Sequence, residues 1–442
     1  MSKLGEWIID AASGPFGSNL KVECFVPDGF PIIDGANLKG VIVTDNITKF
    51  VPENKARSLS RSIAQRHDVI VTISGTLGQV AYIPEDSKYE EYLCSQRQFR
   101  VTFDETLVDV EYLVYYLHTT EGQKKILSFA NYVGVPALSQ PLPNFKNIEV
   151  TFPDVEIQHQ VVKAIKMFDS KISLNNAISA ELEALAKTLY DYWFVQFDFP
   201  DENGKSYKSS GGKMVWNEEL KREIPEGWEV KAIAACIQKS KNGDWGKELP
   251  HNRTDIGVNC FRGADFSSIT SNHIMTAPVR YISAKNIDRM LVNGDLVTEI
   301  SGGSPTQATG RIGYINQAFL NRSDNFMVCS NFCKAIVPID NSYQFWLYQT
   351  WKMLYDMGIM FNYEGKTTGI KNLMFEDFIQ TILLPYPPEK ILKEYQSVAG
   401  VNYTMIQNIF SESAELASLR DFLLPLLMNG QVVVKDEGIY DR

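Results

Sequence analysis

The chain has 442 residues, 44% hydrophobic and 22% charged, enough for two or three ordinary cores and inconsistent with a low-complexity or disordered protein. Its formal charge of −10 excludes a protein that coats nucleic acid nonspecifically, because such binding scales with the phosphates neutralised. Six cysteines, at 24, 94, 236, 260, 329 and 333, form no CxxC pair and read as reduced thiols, and the start lacks the apolar run of a signal peptide, so a cytoplasmic protein without membrane contact is expected.

In chain order, residues 1–153 open at Gly5-Glu6-Trp7 as a module of short elements and Gly-rich turns. The β-branched runs 69–73 and 80–83, bounded by Gly or Pro, predict strands, and Gly14-Pro15-Phe16-Gly17-Ser18 predicts a turn. Over 154–198, Ile157, Val161, Ala164, Phe168, Ile172, Ile178, Leu182, Leu185 and Leu189 recur at steps of three and four or their sums, which predicts a long amphipathic helix. Asn175 falls in its seam, where a polar residue fixes register at a cost in stability. Residues 199–223, rich in Gly and Ser, read as a linker.

From Ile224-Pro225-Glu226-Gly227-Trp228 the plan starts again, with a second module over 224–386. Gly35-Ala36-Asn37-Leu38 returns as Gly263-Ala264-Asp265-Phe266, and 68–75 returns as 295–302. Gly78–Ile83 matches Gly310–Ile315, Cys94-Ser95 matches Cys329-Ser330, and Ser179-Ala180-Glu181-Leu182 matches Ser413-Ala414-Glu415-Leu416. Collinear matches whose offsets drift slowly from 227 to 235 residues are a duplication. A second long helix follows over 387–429, with Ile391, Tyr395, Val398, Met405, Ile409, Leu416, Leu419 and Leu423 on its apolar face and Pro425 and Gly430 as stop signals; 430–442 is a tail. Each helix is on the order of 60 Å long at 1.5 Å per residue, too long for one small module, so each apolar stripe is expected to seek the other.

Catalytic signatures are few. Gly365-Lys366-Thr367-Thr368 approaches a phosphate loop, but six residues rather than four separate it from Gly358. The paired prolines Pro387-Pro388 lack the preceding Asp or Asn of an amino-methyltransferase turn, and they launch the second helix instead. Asp201-Glu202 with Lys205 echoes a nuclease fragment but lies in the polar linker. The five histidines share no metal-ligand spacing. Residues 231–311 hold ten basic against seven acidic residues, a local +3 in an acidic chain.

The stretch from Glu181 to Phe194, then Asp198-Phe199-Pro200 and Ile224-Pro225-Glu226-Gly227-Trp228, resembles the central region of specificity subunits of type I restriction-modification enzymes. Ile73-Ser74-Gly75, the loop Gly134–Ser139 and the helix start at Pro153 with Gln158 and Gln160 resemble the same family, and the likeness spans nearly the whole chain. It implies an α+β protein with two strand-rich target recognition domains, each reading half of a split double-stranded DNA site, separated by two long antiparallel helices forming a coiled-coil spacer. It further implies a non-catalytic subunit that binds no cofactor itself. Two methyltransferase subunits carrying S-adenosylmethionine, and restriction/translocase subunits using ATP and Mg, would be its partners.

Base reading needs Arg, Lys, Asn, Gln and hydroxyl side chains on loops. In the first module the candidates are Ser18, Asn19, Lys21, Thr76, Gln79, Arg97 and Ser139. In the second they are Lys241, Asn242, Arg262, Thr306, Gln307, Arg311, Lys366 and Lys371, with the insertion 303–309 marking its neighbourhood as divergent. The seam and docking candidates are Ile157, Val161, Phe168, Ile172, Asn175, Leu182, Leu185, Leu189, Tyr395, Val398, Met405, Leu416, Leu419 and Leu423. Two rival readings stand beside this one: a degenerate DNA methyltransferase or nuclease, and a helical adaptor that never touches DNA.

Overall fold

A computed structural model describes residues 1–273, 275–302, 306–367, 370–435 and 438–441. The chain divides into two compact units, Met1–Ser170 with Ala417–Arg442, and Lys171–Leu416.

In the first unit the run Val69–Thr72 forms a central strand, as its β-branched composition predicts. It lies in an antiparallel sheet with the order Ile8–Ser13, Gln98–Phe103, Val69–Thr72, Val80–Tyr82. The side chains alternate between two cores, as the two-residue period of a strand requires. Val69 and Val71 join Phe99, Val101 and the helix Val110–His118 on one face. Ile70 joins Ala81, Ile33 and Tyr92 on the other, where Phe30–Ile33 runs parallel to Glu91–Cys94 in a second sheet.

The second unit repeats this plan. Ile237–Asn242, Cys333–Pro338, Leu296–Glu299 and Ile312–Tyr314 pair in the same order and directions, and Ile256–Phe261 runs parallel to Phe326–Cys329. Registers match as well: Val69 faces Val101, and Leu296 faces Ile336. Even a close backbone approach is duplicated. A Cβ placed on Gly14 would stand 1.9 Å from the Ser95 carbonyl oxygen, and one on Gly243 would stand 1.9 Å from that of Ser330, so at both positions glycine alone lets the strand end pass.

The first long helix runs Val155–Tyr190 and closes in a wider π-type turn, Asp191–Val195. The second runs Glu389–Tyr395, a π-type turn Gln396–Gly400, then Val401–Met428. It starts directly after Pro387-Pro388. It continues through Pro425 rather than stopping there, and ends before Gly430, whose φ is +64°.

Within each unit the helices pack antiparallel. In the first, Arg420 bonds Asp169 at 2.6 Å while Val161 and Ile165 share a core with Leu424, Leu427 and Met428. In the second, Asn175 donates to Glu412 Oε2 at 2.8 Å and to Ser413 Oγ at 3.2 Å, while Ala180 and Glu183 line one cavity with Tyr403 and Ile406. Val161, Asn175 and Tyr395 are buried, and Phe168, Ile172, Leu182, Leu189, Leu416 and Leu423 are half-buried. Ile157, Leu185, Val398, Met405 and Leu419, expected in the seam, are exposed instead. Their places are taken by Gln158, Val162, Ser179, Ala186, Ile406, Gln407, Phe410 and Ser413. Half of these are polar, and a polar seam leaves no apolar period to follow.

The segment 199–223 is folded. Phe199 stacks on Tyr207 and Trp228 at 4.7 and 5.2 Å, Ser209 donates its N–H and hydroxyl to Asp198, and Met214–Asn217 pairs with Arg222–Pro225. Its Gly and Ser residues form the turns between these anchors, and Asp201 caps one of them by accepting from the Asn203 and Lys205 amides. Val432–Lys435 and Gly438–Asp441 form a closing ribbon. No described helix is long and apolar enough to cross a membrane.

Candidate nucleic-acid interface

Where the central strand of the first unit ends at Thr72, the chain opens a polar cleft of about 540 Å³. Its walls bring together Thr72, Ser74, Gly75, Thr76, Gln79, the segment Ser95–Gln98, the turn Asp34–Ala36 and Lys49. The floor is held internally: Thr72 Oγ1 donates to Gln79 Oε1 at 3.0 Å, and Gln79 Nε2 donates to the Gly35 carbonyl at 2.9 Å. Asp34 pairs with Lys49 at 2.6 Å, and hydrogen bonds from Lys49 and the Ala36 amide hold its carboxyl below the usual range against the opposing effect of burial. Arg97 and Thr76 are exposed on the same walls, so Arg97 gives the cleft a positive excess.

Ser18, Asn19 and Lys21 are exposed on the segment whose Leu20 and Val22 line the cleft. Ser139 is exposed too, and its amide donates to the Phe129 carbonyl at 2.9 Å. Of the seven candidates in this unit, three line the cleft and three more sit on its bordering segment. Gln79, however, is occupied by the floor.

The second unit keeps the backbone of this site and changes its chemistry. Arg311 stands at the place of Gln79 and Glu299 at that of Thr72; Arg311 bonds Glu299 at 2.8 Å and the Gly263 carbonyl at 2.8 Å. An ion pair has thus replaced a neutral pair under the same glycine carbonyl. Phe332 stands at the place of Arg97, each accepting from the amide of the preceding strand end, Ile300 or Ile73, at 2.8 and 2.7 Å. Phe332 is exposed. Residue type alone hides it among apolar residues, whereas the 235-residue offset applied to Arg97 finds it.

The remaining candidates divide. Lys241 is nearly buried and bonds Asp295 at 2.5 Å and the Met290 carbonyl at 2.9 Å; burial pushes the Asp295 carboxyl up while Lys241 opposes the shift. Arg262 is engaged with Asp265 and Thr276. Lys371 pairs with Glu364 at 3.1 Å and stands 5.2 Å from the Phe361 ring centre. Asn242, Thr306 and Gln307 are exposed, and Gln307 hydrogen-bonds Tyr355. The Lys366 side chain and residues 303–305 of the insertion lie outside the described residues. Gly365-Lys366-Thr367 belongs to the strand Glu364–Thr367, paired with Ile370–Leu373, so it is a ribbon and not a phosphate loop.

Residues 30–184 match the family model of the type I restriction modification DNA specificity domain. Along most of its length the chain is also similar to the MjaIX type I restriction enzyme specificity subunit of Methanocaldococcus jannaschii, 22% identical over 407 residues, or 87% of this chain and 82% of that one. Both findings are similarities to specificity subunits of type I restriction-modification systems. A second relative is the HindI specificity subunit of Haemophilus influenzae, 21% identical over 413 residues, covering 80% of this chain and 84% of that one. The fold is shared with the type I restriction-modification S subunit from M. genitalium, with a TM-score of 0.58, 16% identity and coverage of 96% of this chain and 95% of that one.

Proposed function

We propose that the chain is the DNA specificity subunit of a type I restriction-modification complex, and that each unit reads one half of a bipartite DNA target with the side chains at the end of its central strand and the loops around it. The observation that carries this reading is the contrast between the two equivalent strand ends. The backbone bonds are the same in both, while Thr72, Gln79 and Arg97 give way to Glu299, Arg311 and Phe332. Selection for stability alone gives no reason to keep this backbone frame and vary the side chains on it, but two different half-sites do.

Two modification subunits dock on the long helices, one beside each copy of the repeat, as the duplication favours two like partners. Ile157, Met167, Leu174, Leu185, Met405 and Phe422 supply exposed apolar side chains for that contact. S-adenosylmethionine is held by those subunits, ATP and Mg by a restriction subunit, and much of the phosphate neutralisation falls to the partners, since this chain carries −10.

Co-expression with a cognate modification subunit, followed by genome-wide mapping of methylated adenines, tests the reading. A motif of two fixed halves around an unread spacer is expected, with no methyl transfer by the purified chain alone. A single continuous motif, or transfer without partners, contradicts it.

A further inference from the structure

A short ribbon stands at the edge of the first cleft. Ala130–Asn131 pairs antiparallel with Ala137–Leu138, and the ribbon is tied to the cleft by the Ser74–Ala137 bridge and by bonds from the Gly75 amide to the Pro136 carbonyl and from the Leu138 amide to the Ile73 carbonyl, at 2.9 and 2.8 Å. Gly134, at φ +77°, turns its tip. The other tip residues point away from any core: Tyr132, Val133 and Val135 are 66%, 87% and 64% exposed. A turn that shows three large apolar side chains to water, on a firmly anchored ribbon, calls for a ligand.

We propose that this ribbon enters the major groove of the half-site read by the first unit, and that Val133 and Val135 contact thymine C5-methyl groups. The inference rests on the reading above, that the first unit recognises DNA. The major groove, roughly 12 Å wide, admits a two-stranded ribbon without distortion, whereas the minor groove, at about 6 Å, takes one only after the duplex is bent or widened. The thymine methyl is the apolar group that base edges present there, and valine methyls complement it without a hydrogen bond. Exposed Arg97 and Lys21 on neighbouring segments supply charge for flanking phosphates, which favours a nucleic acid over an apolar protein surface.

The second unit has the same ribbon with different chemistry. Ser301 pairs with Asn372, and the Leu373 amide donates to the Ile300 carbonyl at 2.9 Å, matching Leu138 to Ile73. Between its paired strands the sequence runs Lys366-Thr367-Thr368-Gly369-Ile370, where the first unit has Tyr132-Val133-Gly134-Val135; residues 368–369 lie outside the described residues. Equivalent ribbons whose sequences differ in this way are what two readers of different half-sites require.

The test uses the full chain assembled with its modification subunits. Exchanging residues 1–153 with those of a relative first assigns a half-motif to the first unit. Each thymine of that half is then replaced by deoxyuridine, which deletes only the C5-methyl, and duplex binding is measured for the wild type and for the double variant Val133→Ser, Val135→Ser. The wild type is expected to bind about fourfold more weakly for each contacted methyl lost. The double variant is expected to match wild-type thermal stability, bind the thymine duplex more weakly, and be indifferent to deoxyuridine. A wild type indifferent to every replacement overturns the ribbon assignment, as does a variant that assembles with the modification subunits and keeps the wild-type deoxyuridine sensitivity. A motif that does not follow the exchange overturns the underlying reading instead, so the two failures are distinct.

Discussion

Asp68 and Asp295 occupy the same turn 227 residues apart. Each accepts a bond from the amide three residues before it, Gln65 at 3.0 Å and Val292 at 2.9 Å, and each is buried. Their cations come from different strands: Arg100, 3.7 Å from Asp68, from the neighbouring central strand, and Lys241 from the edge strand. Removing a cation from a buried carboxylate leaves an uncompensated charge, so Lys241→Met is expected to destabilise the protein by about 3 kcal/mol in denaturant unfolding. By contrast, Arg97→Ala, at an exposed site, is expected to leave unfolding within about 0.5 kcal/mol of wild type. It should weaken DNA binding by the assembled complex by roughly 1 to 3 kcal/mol, measured by titration with a duplex containing the mapped motif. Residue type marked Lys241 and Arg97 alike as base-reading candidates. It cannot separate them, because a lysine two strands away from a buried acid and an arginine at a cleft wall look the same in one dimension. The duplication carries part of the missing information: the aspartate repeats, so a buried partner for it is required in both copies.

At the scale of elements, the long helices were legible in existence and direction but not in phase. Ile157, Leu185, Met405 and Leu419 satisfy three-and-four spacing yet face water, because sums of such steps accumulate drift over nearly ten turns and the π-type turn at Gln396–Gly400 shifts the buried face. Several of the buried helix positions are polar instead, Gln158 and Gln407 bonding the modules and Asn175 the facing helix, and an apolar pattern passes over them. Asn175 is the exception that register arguments do pick out, and it bonds Glu412 and Ser413 across the seam. Ser179, the repeat counterpart of Ser413, is buried with its hydroxyl unpartnered among the described residues. The two positions therefore have opposite expectations. Asn175→Ala should cost about 1 to 2 kcal/mol by leaving Ser413 and Glu412 without their donor, while Ser179→Ala should be neutral or stabilising by up to about 1 kcal/mol, both read from denaturant midpoints.

For the whole molecule, the repeat was the most legible feature, since offsets of 227 to 235 residues reappear as identical strand order and register. The exposed Phe332 and the apolar ribbon tip were not legible, because an apolar residue outside a core declares itself only once the core is known. If helix length sets the unread spacer, inserting one helical turn after Leu174 is expected to lengthen the spacer in the methylated motif and leave both half-motifs intact; an unchanged spacer contradicts that role. The central claim, one half-site per copy, is tested most directly by exchanging residues 1–153 for those of a relative with a different motif and mapping methylated adenines in cells with the cognate modification subunit. One half of the motif is predicted to change to that of the donor while the other half is retained. An unaltered motif, or simultaneous change of both halves in an intact complex, would contradict the account.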